Sequence, residues 1–221
     1  MSETYEAERR EVLRAVERIV AAGLVAGSSG NVSLRIATAD GELIAVTASS
    51  VPYHRFTLDD VLVVDFDIEP VVGEGVPSSE SLLHVAVYHA RPDVRAVVHT
   101  HSVYASAFAA AGRPILPVLD EQVVILGGAV KVAEYGPSAS EELAARCVAA
   151  LGERAAVLLR NHGVVGVGRD LDEALAAVEL TERAAKVQVL SAVLGGAQEL
   201  PPGVVRTEQA VYRMLHGLGP E

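Results

Sequence analysis

Two histidines separated by one residue, His99 and His101, could act together in this sequence. Alternate residues of a β-strand point to the same face, so both imidazoles could reach one metal ion. A third histidine, His162, lies between two apolar segments and is flanked by Asn161 and Gly163. Three histidine ligands leave an open position on zinc, which is typical of a catalytic site. The alternative interpretation is that these histidines are unrelated to one another.

The segment Pro77-Ser78-Ser79-Glu80 allows two interpretations. Ser79 can cap a helix that runs to residue 90, and an acid next to the cap favours the helix dipole by about 1 kcal/mol. Alternatively, the helix N-terminus and the hydroxyls of Ser78 and Ser79 bind an anion, while Glu80 projects toward the metal as a base.

Two further segments, residues 27–31 (which end in Asn31) and residues 47–50 (which include Ser49 and Ser50), contain small and hydroxyl-bearing residues and no lysine. Each of them alone indicates no more than a loop. Together they offer backbone N–H groups and hydroxyls, which hold phosphate in amide nests rather than by a point charge.

Apolar periodicity, capping residues and turn signals predict the elements that position these residues. Strands and helices are interleaved, but tight turns join two of the strand pairs, so a purely parallel sheet is not expected. We therefore predict one α/β domain over residues 1–221, with a mixed or mainly antiparallel central sheet covered by helices. The predicted helices are 4–22, 79–90, 102–111, 138–151, 170–194 and 207–215, and the predicted strands are 32–36, 42–47, 61–66, 95–100, 155–159 and 164–167.

Composition limits the classes of partner. The 221 residues are 50% hydrophobic and carry a net charge of −11, which argues against nucleic acid as a partner because a polyanion needs a basic face. Cys147 is the only cysteine, so an internal disulfide is excluded. The first 14 residues are charged and lack an apolar signal core, and no apolar run reaches membrane-spanning length. We therefore expect a cytoplasmic protein that does not bind membranes.

Five segments in this order carry a resemblance to a known family: residues 27–33, 47–53, 77–80, 91–102 and 161–163. The chain resembles the class II aldolase and adducin-head family, and within it the branch of L-fuculose-1-phosphate aldolases. The resemblance covers nearly the whole chain, except about the last 20 residues. It implies a mixed sheet between helix layers and a homotetramer with active sites between subunits. The C-terminal tail, about residues 201–221, would then cap a neighbouring site.

The resemblance also implies an activity and a role for each matching residue. The activity is cleavage of a ketose 1-phosphate, such as L-fuculose 1-phosphate or a 5-deoxypentulose 1-phosphate, to dihydroxyacetone phosphate and an aldehyde. The metal would stabilise the negative charge of the enediolate that forms. Zn²⁺ suits three imidazoles, although Fe²⁺, Co²⁺ and Mn²⁺ bind such sites too. The residues implied are His99, His101 and His162 as metal ligands, Glu80 as acid/base and fourth ligand of the empty site, and Asn31, Ser49, Ser50, Ser78 and Ser79 as phosphate ligands.

Three positions depart from the family pattern or match it loosely. Glu121 stands where these aldolases place a tyrosine, which lies near the leaving aldehyde in the active site of the adjacent subunit. Tyr212 matches a second, C-terminal tyrosine, for which we expect a catalytic role. Ser50 replaces a usual glycine, so we expect a negative φ at this position.

Three alternative functions are weighed against the aldolase. A decarboxylase of a phosphorylated 3-oxo sugar acid would use the same histidines and Glu80, but an acid at Glu121 would repel the substrate carboxylate. Sugar-phosphate 4-epimerases of the family carry aspartate in place of Glu80. A non-catalytic module similar to the adducin head would lack metal ligands, and here all of them are present.

Overall fold

The structure, a computed structural model, describes residues 5–219; residues 1–4 and 220–221 of the predicted domain lie outside the described residues. The described residues form seven α-helices and eight β-strands. The helices are α1 (Glu6–Ala21), α2 (Ser81–Ala90), α3 (Val103–Ala111), α4 (Asp120–Leu126), α5 (Glu141–Leu151), α6 (Leu171–Ser191) and α7 (Pro202–Leu215). The strands are β1 (Asn31–Thr38), β2 (Gly41–Thr47), β3 (Val61–Val64), β4 (Pro70–Val72), β5 (Ala96–Thr100), β6 (Lys131–Ala133), β7 (Ala156–Leu159) and β8 (Gly163–Gly168).

All eight strands belong to one sheet, in the order β4-β3-β2-β1-β5-β8-β7-β6. Every neighbouring pair is antiparallel except β6 and β7, which are parallel. The prediction of a mixed, mainly antiparallel sheet is therefore confirmed. The two predicted hairpins, β1–β2 and β7–β8, are present, and β5 lies between them at the centre of the sheet.

Helices cover both faces of the sheet, as predicted. On one face, α1, α3 and α6 contribute to a cluster of buried Val, Leu, Ile and Ala side chains. On the other face, α2 and α5 pack against a second cluster, which includes Cys147. This cysteine is fully buried, and burial raises the pKa of its thiol to about 12, so it is a core residue rather than a reactive one. No helix within residues 5–219 is both long enough and apolar enough to cross a membrane.

Three predicted helix starts are wrong. Helix α7 begins at Pro202 and not at residue 207, because proline is tolerated in the first turn of a helix. The other two errors concern serines near the site. Helix α2 begins at Ser81 with Glu80 in the N-cap position, so Ser79 is not the cap. Helix α5 is capped by Ser140, whose hydroxyl accepts a hydrogen bond from the Leu143 amide. The predicted capping box at 138–141 is therefore displaced, and Ser138 is free to bond elsewhere.

Candidate metal centre and its pocket

The three predicted histidine ligands lie together at one end of the central strands. His99 is on β5, His101 follows the end of β5, and His162 is in the turn between β7 and β8. Their ring centroids form a nearly equilateral triangle with sides of 4.8, 4.8 and 4.9 Å. One nitrogen from each ring lies within 4.8 Å of the others, so the three imidazoles could hold one metal ion.

The protonation of His99 supports a cation between the rings. Its Nδ1 lies 3.0 Å from the Val164 carbonyl oxygen, which can only accept, so Nδ1 carries the proton. Burial lowers the pKa of His99 to about 3, so the ring is neutral and its Nε2 lone pair faces the other imidazoles. This Nε2 is 2.9 Å from His101 Nε2 and 3.2 Å from Glu80 Oε2. Tetrahedral ligands at the usual Zn–N distance are roughly 3.3 Å apart, so the donors present fit a metal ion.

Local backbone geometry explains how His162 reaches this cluster. Asn161 adopts a left-handed conformation with φ of 58°, which asparagine tolerates better than most residues. A Cβ on Gly163 would lie 2.3 Å from the Thr100 carbonyl oxygen, so only glycine lets β8 approach the end of β5 this closely. The Asn-His-Gly turn therefore places His162 against the other two rings.

Glu80 lies next to the cluster with both carboxylate oxygens held. Oε2 accepts a hydrogen bond from Asn31 Nδ2 at 3.1 Å, and Oε1 accepts one from the Ser138 hydroxyl at 2.9 Å. Oε1 also lies 3.4 Å from His162 Nε2. Burial would raise the pKa of Glu80, but His99, His162 and the two hydrogen bonds outweigh it, and the pKa lies below its ordinary value. The carboxylate is therefore ionised at neutral pH.

A polar cavity of about 180 Å³ opens beside Glu80. This is smaller than the roughly 300–1,000 Å³ of sites that bury drug-sized ligands, which suits a small phosphorylated molecule. It brings together all five predicted phosphate ligands, two of the histidines and Glu80, with no lysine or arginine among its lining residues. The described residues that line it are Ser28, Ser29, Gly30, Asn31, Ala48, Ser49, Ser50, Ser78, Ser79, Glu80, His101, Ser138 and His162.

The expectation of a negative φ at Ser50 is wrong. Its φ is 61°, in the left-handed region that favours glycine, so the serine keeps the backbone conformation of a glycine at a conformational cost. The Ser49 and Ser50 hydroxyls lie 3.3 Å apart at the cavity wall. A glycine-like turn with two adjacent hydroxyls is well suited to an anion nest.

Comparison with known proteins agrees with this site. Residues 10–189 match the family model described as the class II aldolase and adducin N-terminal domain. The chain belongs to this family. It is 31% identical over 194 residues to a 5-deoxy-D-ribulose 1-phosphate aldolase of Bacillus thuringiensis serovar kurstaki (strain ATCC 35866 / NRRL B-4488 / HD73), covering 88% of this chain and 90% of that protein.

Two other relatives are also named as aldolases. An L-fuculose phosphate aldolase of Escherichia coli (strain K12) is 34% identical over 167 residues, covering 75% of each chain. A solved structure of an L-fuculose 1-phosphate aldolase superposes with a TM-score of 0.87 at 29% identity, covering 96% of this chain and 98% of that one. The chain is thus a class II aldolase, a lyase, and these relatives do not favour the decarboxylase alternative.

Two residues that the family resemblance implied lie outside the cavity of their own chain. Glu121 is in the first turn of α4 and pairs with Arg183 at 2.8 Å. Tyr212 is only 3% exposed, and its hydroxyl donates to the Glu153 carbonyl oxygen at 2.8 Å. Burial raises the pKa of Tyr212 to about 12, which makes it a weak proton donor. In its own chain Tyr212 packs against the core, and its catalytic role stays a prediction.

Ser138 was not identified as a site residue from the sequence. His84, one helical turn from Glu80, is a second residue near the site. His84 is 1% exposed and bonds to Asn31 rather than to Glu80's side chain. A signal for this contact was present: Glu80, His84 and Tyr88 recur every four residues along a mainly apolar helix. Ser138 was missed because the sequence 138–141 resembles a capping box, which assigns this serine to a helix start.

Proposed function

We propose that this class II aldolase cleaves a ketose 1-phosphate to dihydroxyacetone phosphate and an aldehyde. A 5-deoxypentulose 1-phosphate or L-fuculose 1-phosphate is the substrate class that the named relatives support. The observation that carries the proposal is the position of Glu80, between three imidazoles and a serine-lined cavity.

We assign the metal ligands to His99, His101 and His162, and the ion to Zn²⁺, with Fe²⁺, Co²⁺ or Mn²⁺ able to replace it. A divalent ion in this position supplies a Lewis acid that stabilises negative charge developing on the substrate oxygens. The three imidazole ligands are neutral when they coordinate, so they leave the charge of the ion available to the substrate.

We assign the proton transfers to Glu80. Cleavage between C3 and C4 requires the loss of the C4 hydroxyl proton and the gain of a proton at C3. A group that first accepts and then returns a proton can perform both steps. Glu80 is suited to this role because its lowered pKa leaves it ionised and its oxygens border the cavity.

We assign phosphate binding to Asn31, Ser49, Ser50, Ser78 and Ser79. Among the described residues, the amide groups of Ser50 and Ser79 donate to no backbone carbonyl, so these N–H groups are available to an anion. Asn31 Nδ2 uses one hydrogen for Glu80, and its second hydrogen is available to the phosphate.

We also propose a cytoplasmic homotetramer in which Glu121 and the tail from about residue 201 lie near a neighbouring site. Glu121 is 43% exposed and borders no part of its own cavity, which agrees with a role toward another subunit. The net charge of −11 supports a small-molecule substrate rather than nucleic acid.

A substrate panel tests the proposed function. Metal-loaded protein is incubated with L-fuculose 1-phosphate, 5-deoxyribulose 1-phosphate and a 3-oxo-tetronate 4-phosphate, and dihydroxyacetone phosphate and CO₂ are measured separately. We expect chelator-sensitive release of dihydroxyacetone phosphate from at least one ketose 1-phosphate. Release of CO₂ alone would refute the proposal and favour the decarboxylase.

A further inference from the structure

Five buried polar side chains form two facing rows behind the metal centre. The first row belongs to α2 and consists of Glu80, His84 and Tyr88, which are spaced by four residues and therefore share one helix face. The second row belongs to β1 and consists of Asn31 and Ser33, which are two residues apart and share one strand face. All five are between 0 and 5% exposed. Burying so many polar groups costs free energy unless each is hydrogen-bonded.

Hydrogen bonds join the five side chains into one continuous network. Asn31 Nδ2 donates to Glu80 at 3.1 Å, and Asn31 Oδ1 lies 2.6 Å from His84 Nε2. His84 Nδ1 lies 2.6 Å from the Ser33 hydroxyl, which is 2.7 Å from the Tyr88 hydroxyl. This hydrogen-bonded network is continuous from Tyr88 in the core to the Glu80 carboxylate.

The donor and acceptor of each hydrogen bond in this network follow from the chemistry of the groups. A carboxylate only accepts, so the amide nitrogen of Asn31 faces Glu80 and its oxygen faces His84. His84 must then carry its proton on Nε2. With a neutral ring, Nδ1 accepts the proton of the Ser33 hydroxyl, and Ser33 in turn accepts from Tyr88.

Burial supports a neutral His84. The ring is 1% exposed, and burial lowers its pKa to about 4. The Glu80 carboxylate acts in the opposite direction, but burial outweighs it.

We propose that Tyr88, Ser33 and His84 are positioning residues that hold the Asn31 amide in one orientation and thereby aim the Glu80 carboxylate at the substrate. The proposal rests on the acid/base role of Glu80 stated under Proposed function. Without His84, the Asn31 oxygen loses its hydrogen bond and the amide is free to rotate. A rotated amide would turn its oxygen toward the Glu80 carboxylate, and the two groups repel each other. Glu80 would then lose the donor on Oε2 and keep only Ser138 on Oε1.

A purely structural role for these bonds predicts a different outcome. It would lower thermal stability when a bond is removed but would leave the turnover of the folded enzyme unchanged. Positioning predicts a lower kcat together with a higher KM for the phosphorylated substrate, because the Asn31 amide both bonds to Glu80 and is an assigned phosphate ligand.

The test compares Ser33→Ala, His84→Leu and His84→Gln in the metal-loaded enzyme. Removing a partner that orients a metal-site group typically costs 10–100-fold, so we expect kcat to fall about 10-fold or more in Ser33→Ala and in His84→Leu. The amide of His84→Gln can again donate to Asn31, and we expect it to recover most of the kcat. Metal content should match the wild type.

Thr181→Val is the matched control, because Thr181 is also fully buried and its hydroxyl donates to the Ala177 carbonyl oxygen within α6, away from the metal centre. It should lose stability to a similar extent and keep its kcat. Wild-type kcat in folded Ser33→Ala, or an equal loss in Thr181→Val, would overturn the proposal.

A second measurement does not depend on activity. Imidazole ¹⁵N NMR of metal-free protein reports the tautomer of His84, assigned by its loss in His84→Gln. We expect the proton on Nε2 in the wild type and a mixture of tautomers in Ser33→Ala. A proton on Nδ1 in the wild type would overturn the proposal even if the enzyme cleaves ketose 1-phosphates. Conversely, an enzyme that cleaves none of them refutes the proposed function, and the tautomer then decides this inference.

Discussion

Gly163→Ala should weaken metal binding without altering any ligand. The added Cβ would lie 2.3 Å from the Thr100 carbonyl oxygen, 3.0 Å from His101 Cδ2 and 3.2 Å from His99 Cε1. A carbon–oxygen contact normally needs about 3.3 Å, so β5 and β8 must separate by about 1 Å at this point. That shift is about half a Zn–N bond, and it acts on the strand ends that carry the imidazoles.

The magnitude follows from the cost of overpacking. Inserting a carbon into a well-packed interior costs about 1–3 kcal/mol. If the metal-bound form bears this cost, the affinity for Zn²⁺ falls about 5- to 150-fold. The assay is competition with a chromophoric chelator, together with the thermal midpoint of the metal-free protein.

Gly203→Ala is the control for this substitution. Gly203 lies in α7, and the nearest atom to an added Cβ is 4.0 Å away, at the end of the Arg206 side chain. This variant should bind Zn²⁺ like the wild type and gain about 0.5–1 kcal/mol of stability. Wild-type affinity in Gly163→Ala would show that the close approach of β8 to β5 does not control the metal centre.

Three further predictions concern Glu80, the serines and pH. Glu80→Gln should retain bound metal but lose about 10²- to 10⁴-fold in kcat; full activity would remove Glu80 from the mechanism. Ser78→Ala and Ser79→Ala should mainly raise KM for phosphorylated substrates, and an unchanged KM would exclude these hydroxyls from phosphate binding. In metal-free protein His84 should contribute about 3 kcal/mol to the loss of stability between pH 6.5 and 4, because it takes up a proton below its ordinary pKa of 6.5 when unfolded but only below about 4 when folded. His84→Gln should show a shallower decrease in denaturant titrations, and an equal decrease would contradict this cause.

The sequence predicted the central strands because they depend on short-range patterns. Alternation indicated that His99 and His101 share one side of a strand, whereas the family resemblance implied that His162 joins them. The hairpins around β1–β2 and β7–β8 also follow from local turn signals. Such features can be inferred from residues close together in the chain.

The contacts behind Glu80 could not be inferred in this way. Ser33 and His84 are 51 positions apart, and the polar alternation along β1 is equally typical of a strand that faces solvent. Only the packing of α2 on β1 shows that this face is buried and bonded. The left-handed Ser50 is another example, because a serine is a poor local signal for positive φ. Short elements such as α4, β4 and β6 were missed because three to seven residues give little periodicity.

The central claim is that one metal ion, held by His99, His101 and His162, is required for aldol cleavage. The most direct test adds Zn²⁺ stepwise to metal-free protein and measures release of dihydroxyacetone phosphate from a ketose 1-phosphate. We expect activity to rise in proportion to bound metal, to reach a plateau at one ion per chain, and to be absent in His101→Ala at every metal concentration. Full activity in the metal-free protein, or in His101→Ala, would contradict it.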